Sequence, residues 1–165
     1  ESRGLGDVYK RQTADGNVLI ELDESSARHQ LEVLGKCGVE GIAICTINSY
    51  VNPAHEIRLR ELVHEVLGDD MVVSISSETS PLAKEYTRAS TTVIDVFMKL
   101  IFTDYSAHID RELRELGFDG ELNFADCAAT LLPWQEALNR PFRILFAGPA
   151  AGTCLLYTSP SPRDS

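Results

Sequence analysis

Positive charge is scarce in this chain: 15 Lys and Arg stand against 25 Asp and Glu over 165 residues, a formal net charge of -10. Such a surface repels a polyphosphate backbone and anionic lipid, and no basic run or aromatic-with-arginine stripe offsets it. Neither nucleic acid nor a membrane surface is an expected partner. Long apolar runs are missing too. None approaches the roughly 18 residues that span a bilayer, and no charged-then-apolar leader opens the chain, so a cytoplasmic protein is expected. The four cysteines include no C-x-x-C pair, which removes the zinc and disulfide-exchange motifs and leaves Cys37, Cys45 and Cys127 as expected buried, reduced thiols. Standard catalytic signatures are absent as well. There is no nucleophile elbow G-x-S-x-G and no Walker loop, and His55-Glu56 starts like a zincin helix only to place Leu59 where the second histidine belongs. No metal site is expected.

What is present is average globular usage, with 44% hydrophobic and 24% charged residues. That suffices for a packed core and excludes a disordered chain. The ends read differently. Residues 2–12 spell Ser-Arg-Gly-Leu-Gly-Asp-Val-Tyr-Lys-Arg-Gln. The reverse complement of one codon spelling of that stretch, read one nucleotide in, yields Cys-Leu-Leu-Tyr-Thr-Ser-Pro-Ser-Pro-Arg-Asp, which is residues 154–164. Two tails encoded by opposite strands of one DNA segment resemble read-through of a transposase sequencing adapter. Residues 1–12 and 154–165 are therefore set aside as adapter-derived tails, and residues 13–153 are read as an interior fragment. The Gly4-Leu5-Gly6 turn and Cys154 then carry no chemistry.

Within residues 13–153, Asp15-Gly16 signals a turn and residues 18–22 a short strand. Asp23 or Ser25 caps a helix that runs to about Cys37, with Gly38 as its stop. Residues 39–47 form an almost uninterrupted apolar run, the pattern of a parallel strand covered on both faces. Asn52 as cap and Pro53 at the first helical position open the next helix, lined by Leu59, Leu62, Val63, Val66 and Leu67 and ended by Gly68. Residues 71–75 give a strand and residues 76–81 a polar loop. A long helix over residues 82–116 follows, with a break considered at Ser90-Thr91-Thr92, where hydroxyls compete for backbone bonds. Its stripe of Val93, Phe97, Leu100, Ile101, Tyr105, Ile109, Leu113 and Leu116 reads as core. Residues 121–125 and 142–146 read as strands around a short helix at residues 134–138. Strands alternating with helices give an α/β fold.

Four clusters stand at strand ends. Residues 49–56, Ser-Tyr-Val-Asn-Pro-Ala-His-Glu, follow a buried strand, where open α/β sheets place ligands; the plainer account is helix capping plus a Glu56 to Arg60 pair. Ser77-Glu78 with Glu85, Tyr86, Arg88 and residues 90–92 follow the next strand, and Glu85 and Arg88 are three apart on a helix, spaced to pair at its surface. Residues 123–127 carry one acid, Asp126, and one thiol, Cys127. Residues 147–152, Ala-Gly-Pro-Ala-Ala-Gly, are small enough for close backbone approach by a helix or a ligand.

Taken in order, these clusters resemble the hydantoinase A and 5-oxoprolinase family, which also includes related subunits of acetone and acetophenone carboxylases. The family pattern S-Y-x-N-P-x-H-E is matched by residues 49–56. S-E-x-x-P-x-x-x-E-Y-x-R-x-S-T-T is matched by Ser77, Glu78, Pro81, Glu85, Tyr86, Arg88 and residues 90–92. R-P-x-x-x-L-x-S-G-P-A-x-G is matched by Arg140, Pro141, Leu145, Gly148, Pro149, Ala150 and Gly152, with Ala147 replacing the serine. One segment departs: where the family commonly reads M-Q-S-N-G-G, residues 125–130 are Ala-Asp-Cys-Ala-Ala-Thr.

The resemblance implies part of an actin-like ATPase architecture with ribonuclease-H-like domains. Residues 13–90 would end the N-terminal hydantoinase/oxoprolinase domain and residues 91–153 begin the main domain. It implies ATP with Mg in the full-length parent, held by two Gly-rich loops outside this stretch, so the fragment alone is expected to bind nucleotide poorly and to be inactive. The implied substrate is a cyclic amide or a ketone, and the implied partner a hydantoinase B-type subunit. Asn52, His55, Glu56, Glu85 and Arg88 are the candidate polar site, and Gly148, Pro149 and Gly152 the candidate interdomain or nucleotide-cleft segment. Because residues 125–130 are altered, a non-catalytic structural or assembly subunit of the same fold is the alternative.

Overall fold

The computed structural model describes residues 12–128 and 130–158. The Gly4-Leu5-Gly6 turn and the Ser-Pro tail lie outside the described residues. The chain divides into two compact units between Val96 and Phe97.

In the first unit, α1 (Glu24–Lys36) is capped by Asp23, whose Oδ1 accepts from the Ser26 N–H at 3.0 Å. Strand β1 (Gly41–Ile44), helix α2 (Ala54–Leu67) and strand β2 (Val72–Ile75) form a β-α-β unit. Its strands pair in parallel from Gly41 opposite Val72 to Ile44 opposite Ile75. Parallel strands need a crossover, and α2 supplies it. Leu31 of α1, Leu62 and Val63 of α2, Ile44 and Ile75 make the buried core, with Leu59, Val66 and Leu67 packed against it. Each such side chain contributes about 1.5–3 kcal/mol when fully buried. Outside this core, Arg58 of α2 grips both Glu24 oxygens of α1 at 2.7 and 2.8 Å, and Glu65 accepts from Arg58 at 3.1 Å and from Arg28. The hydrogen bond from Arg58 holds the Glu24 carboxyl below the ordinary carboxylate range, and the one from Arg28 does the same for Glu65. These groups are partly exposed, so they set helix register more than stability.

A short helical turn, α3 (Ser76–Thr79), leaves β2, and α4 (Glu85–Glu115) starts six residues later, its residues 85–96 belonging to the first unit. Ser90, Thr91 and Thr92 do not break α4. Their hydroxyls donate to the carbonyls of Tyr86, Thr87 and Arg88, 2.7–2.8 Å away and four residues back, which leaves the helical ladder intact.

In the second unit, α4 ends in a Schellman motif. Gly117, at φ +83°, donates to Arg114 O, and Phe118 N–H donates to Leu113 O at 2.9 Å. Strands β3 (Asn123–Ala125) and β4 (Leu131–Pro133) form an antiparallel hairpin. Then come α5 (Trp134–Asn139), a 3-10 turn Pro141–Ile144, and α6 (Ala147–Thr158). Phe102 of α4 meets Phe124 of β3 edge-on, ring centroids 4.9 Å apart.

Several expectations are corrected. Residues 18–22 form no strand beyond an isolated bridge between Val18 and Gln12. The β1 strand is buried at Ile44, but Ala43 and Cys45 are exposed, so it is not covered on both faces. Pro53 is the N-cap rather than the first helical residue, and the Asn52 Oδ1 accepts from the Ala54 N–H at 3.1 Å from one position further out. Residues 142–146 form no strand: Pro141, with its fixed φ, starts a 3-10 turn instead. The α4 stripe is not core throughout. Val93, Phe97, Ile101, Tyr105 and Leu116 are exposed, and the buried positions of α4 include Thr92, Asp95, Val96, Phe102 and Ser106. Asp95 there accepts from Ser74 Oγ of β2 at 2.6 Å. The cysteines are exposed rather than buried. Gln12, counted with the tail, is 1% exposed, and its carbonyl accepts from Asn48 Nδ2 at 3.0 Å. No helix among the described residues is long and apolar enough to cross a membrane.

Candidate functional site

A buried polar network of the first unit lies just past β1 and β2. Thr46, two residues beyond β1, donates its N–H to Glu56 Oε1 at 2.7 Å. Ser76, at the end of β2, donates its hydroxyl to the same oxygen at 2.5 Å, and the Ser77 N–H donates to Glu56 Oε2 at 2.8 Å. Glu56 is wholly buried on the first turn of α2, so these three donors replace the water it gives up. Ser49 Oγ lies 3.2 Å from Ser76 Oγ and donates to Thr46 O at 2.9 Å.

Arg88 comes to the same place from α4. It too is 0% exposed. Its Nη2 donates to Thr46 O at 2.6 Å and its Nη1 to Leu82 O at 3.1 Å, while the guanidinium carbon sits 5.5 Å from the centre of the Tyr50 ring. The Nε has no partner. Glu85 does not pair with Arg88: it is exposed at the start of α4, whereas the arginine turns inward to carbonyls. Nor does Glu56 pair with Arg60, which instead grips both oxygens of Glu78 at 2.8 and 3.0 Å. In both cases helical proximity lost to a partner on another element. Asn52 donates to Gly16 O at 2.8 Å, pinning the 13–17 turn, and His55 is buried.

The structure thus brings Glu56 and Arg88 together on Thr46, turns Asn52 to the 13–17 turn, and leaves Glu85 outside. Both Glu56 oxygens and both terminal nitrogens of Arg88 are already occupied by protein, so the geometry fits holding a loop better than moving a proton. Thr46 and Ser76, the hubs of the network, carried no motif signal, and neither did the Ser74 to Asp95 bond. Asp95 could have been noticed as an acid within an apolar helical run.

In the second unit, Asp126 organises the 126–130 turn. Its Oδ1 accepts from the Ala128 and Thr130 N–H groups, both at 2.9 Å, and its Oδ2 from Arg143. The Thr130 N–H above all, with Ala128 and the Arg143 charge behind it, holds this buried carboxyl below the ordinary range. Gly148, Pro149 and Gly152 lie inside α6, and a Cβ added at either glycine would meet nothing within 4 Å. Among the described residues no group of three or more His, Cys, Asp and Glu is placed to hold a metal.

The hydantoinase/oxoprolinase N-terminal region model matches residues 5–67, and the hydantoinase/oxoprolinase model matches residues 88–161. The caprolactamase alpha subunit of Pseudomonas jessenii is 30% identical over 88% of this chain and 21% of its own length. The crystal structure of the ATP-dependent caprolactamase from that organism aligns with a TM-score of 0.74 at 27% identity, covering 89% of this chain and 22% of the other. Nucleotide-free acetone carboxylase, described as carrying out ATP-dependent acetone carboxylation, aligns with a TM-score of 0.68 at 26% identity, covering 87% and 20%. The chain spans about a fifth of the length of these relatives. On these matches, the chain belongs to the hydantoinase/oxoprolinase family.

Proposed function

We propose that the parent polypeptide is an ATP-dependent enzyme acting on a cyclic amide or a ketone, and that this chain supplies scaffold to it rather than reacting groups. The observation that carries the reading is the agreement of two structural neighbours whose reactions both depend on ATP. What ATP supplies in such chemistry is a phosphoryl group that turns a poor leaving oxygen into a good one. With it go the finer expectations: an actin-like architecture, Mg beside the nucleotide, a hydantoinase B-type partner subunit and a cytoplasmic location. The occupied oxygens of Glu56 and terminal nitrogens of Arg88 support the scaffold role here.

The test is ATP turnover by the full-length protein, offered hydantoin, 5-oxoproline, caprolactam, or acetone with bicarbonate. ADP release that depends on one of them is the expected result. One observation favours a second reading, a non-catalytic subunit of the same fold: the 126–130 turn is closed upon Asp126 in place of a Gly pair. Absence of phosphate loops from the flanking gene, with no turnover on any of the four, would establish that alternative.

A further inference from the structure

Every side chain from Pro81 to Thr87 is exposed, so this segment buries nothing of its own. Its backbone bonds, from Ser80 N to Ser76 O at 3.0 Å and from Leu82 N to Ser80 O at 2.7 Å, are local. The tie to another part of the first unit runs through Arg88, whose planar fork reaches Leu82 O with one terminal nitrogen and Thr46 O with the other. One guanidinium thereby fastens the segment to the chain leaving β1. Its acceptors are neutral carbonyls, its Nε is unpartnered, and its charge rests against Tyr50. A cation held this way loses less on release to water than one locked to a carboxylate, because hydration replaces both bonds.

We propose that Arg88 is a latch and residues 80–84 a strap. Latched, the strap is held to the carboxyl end of β1, where open α/β sheets place ligands. Released, it uncovers the strand end that carries Ser49, Ser77 and Glu56. A segment without buried side chains belongs to the low end of local stability, where such opening occurs without unfolding the unit. The latch governs access to this end whatever the parent enzyme's substrate.

A lysine-specific protease tests this on the whole 165-residue chain, with cutting at Lys84 in the strap compared with cutting at Lys36 at the end of α1. The native chain is expected to be cut slowly at Lys84. Arg88→Met, which removes both carbonyl bonds of the charged donor, should speed that cut by about tenfold or more and leave Lys36 unchanged. Arg88→Gln, whose shorter amide cannot span two carbonyls and adds no lysine for the protease, should fall between. Equal acceleration at both lysines would overturn the latch and make Arg88 a general support. No acceleration would show that the strap is held otherwise, and immediate cutting of the native chain would show that it is never closed. Where Arg88→Met fails to fold, Arg88→Gln decides by the same two sites.

Discussion

Glu56 and Arg88 hold opposite sides of one residue: Thr46 gives its N–H to the glutamate at 2.7 Å, and its carbonyl accepts from the arginine at 2.6 Å. An acid on the donor side and a base on the acceptor side leave no direction in which that backbone can turn without losing a charge-assisted bond. The loop that follows, with Ser49, Tyr50 and Asn52, inherits its position from this clamp.

Removing Glu56 therefore strands three donors, the Thr46 and Ser77 N–H groups and the Ser76 hydroxyl. Each buried donor left unsatisfied costs about 1–3 kcal/mol, so Glu56→Ala is expected to lose at least about 3 kcal/mol. Glu56→Gln should lose less, since one oxygen remains, although its amide must then face a donor. Urea denaturation at neutral pH measures both. A loss below about 1 kcal/mol for Glu56→Ala would mean that water reaches the stranded donors and that the clamp is not closed.

The two polar clusters were legible as strand-end groups, because helix spacing and a parallel crossover fix which ends come together. Their partners were not. Spacing along α2 suggested Arg60 for Glu56, but Glu56 sits on the first, inward-facing turn and Arg60 one turn on, nearer Glu78. Backbone partners such as Thr46 O and Leu82 O leave no mark on a sequence at all, since every residue type offers a carbonyl. The 142–146 run failed for another reason: four apolar residues around Arg143 suit a strand or a tight turn equally, and Pro141 tips the balance. The end of α4, by contrast, was written plainly in Gly117, whose positive φ suits glycine.

The two phenylalanines of α4 in the second unit separate the periodic reading from the packed one. Phe97 belongs to the apolar stripe yet is 61% exposed, whereas Phe102 is 5% exposed against Phe124. Phe102→Ala should cost about 3–5 kcal/mol in chemical denaturation, and Phe97→Ala no more than about 0.5 kcal/mol. Equal losses would return Phe97 to the core.

The ends differ in the same way. Leu156 and Tyr157 are 81% and 88% exposed, so deletion of residues 154–165 should leave stability within about 0.5 kcal/mol. Truncation through Gln12 should not be neutral. Its carbonyl anchors Asn48 and its backbone bridges Val18, and loss of such a bond costs about 1 kcal/mol. Comparing the two deletions in one urea series would show whether Gln12 belongs with the fold; identical stabilities would place it with the tail.

Asp126 supplies a pH dependence with a definite sign. Its carboxyl is held below the ordinary range, by the Thr130 N–H first and then by Ala128 and Arg143, so the folded chain releases this proton more readily than the unfolded one. The stabilisation is therefore fully present above the unfolded value of about 3.9 and is lost as pH falls through the lower folded value. Asp126→Asn keeps one acceptor for the turn but carries no charge for Arg143 and no proton to lose. The native chain should exceed Asp126→Asn in stability at pH 7, with the gap narrowing steadily as the pH falls below about 4. Urea titrations of both proteins at pH 7 and pH 3 measure that gap. A gap that stays constant between the two would mean that the Asp126 carboxyl titrates alike in the folded and unfolded chains, and that the turn is held by its backbone bonds alone.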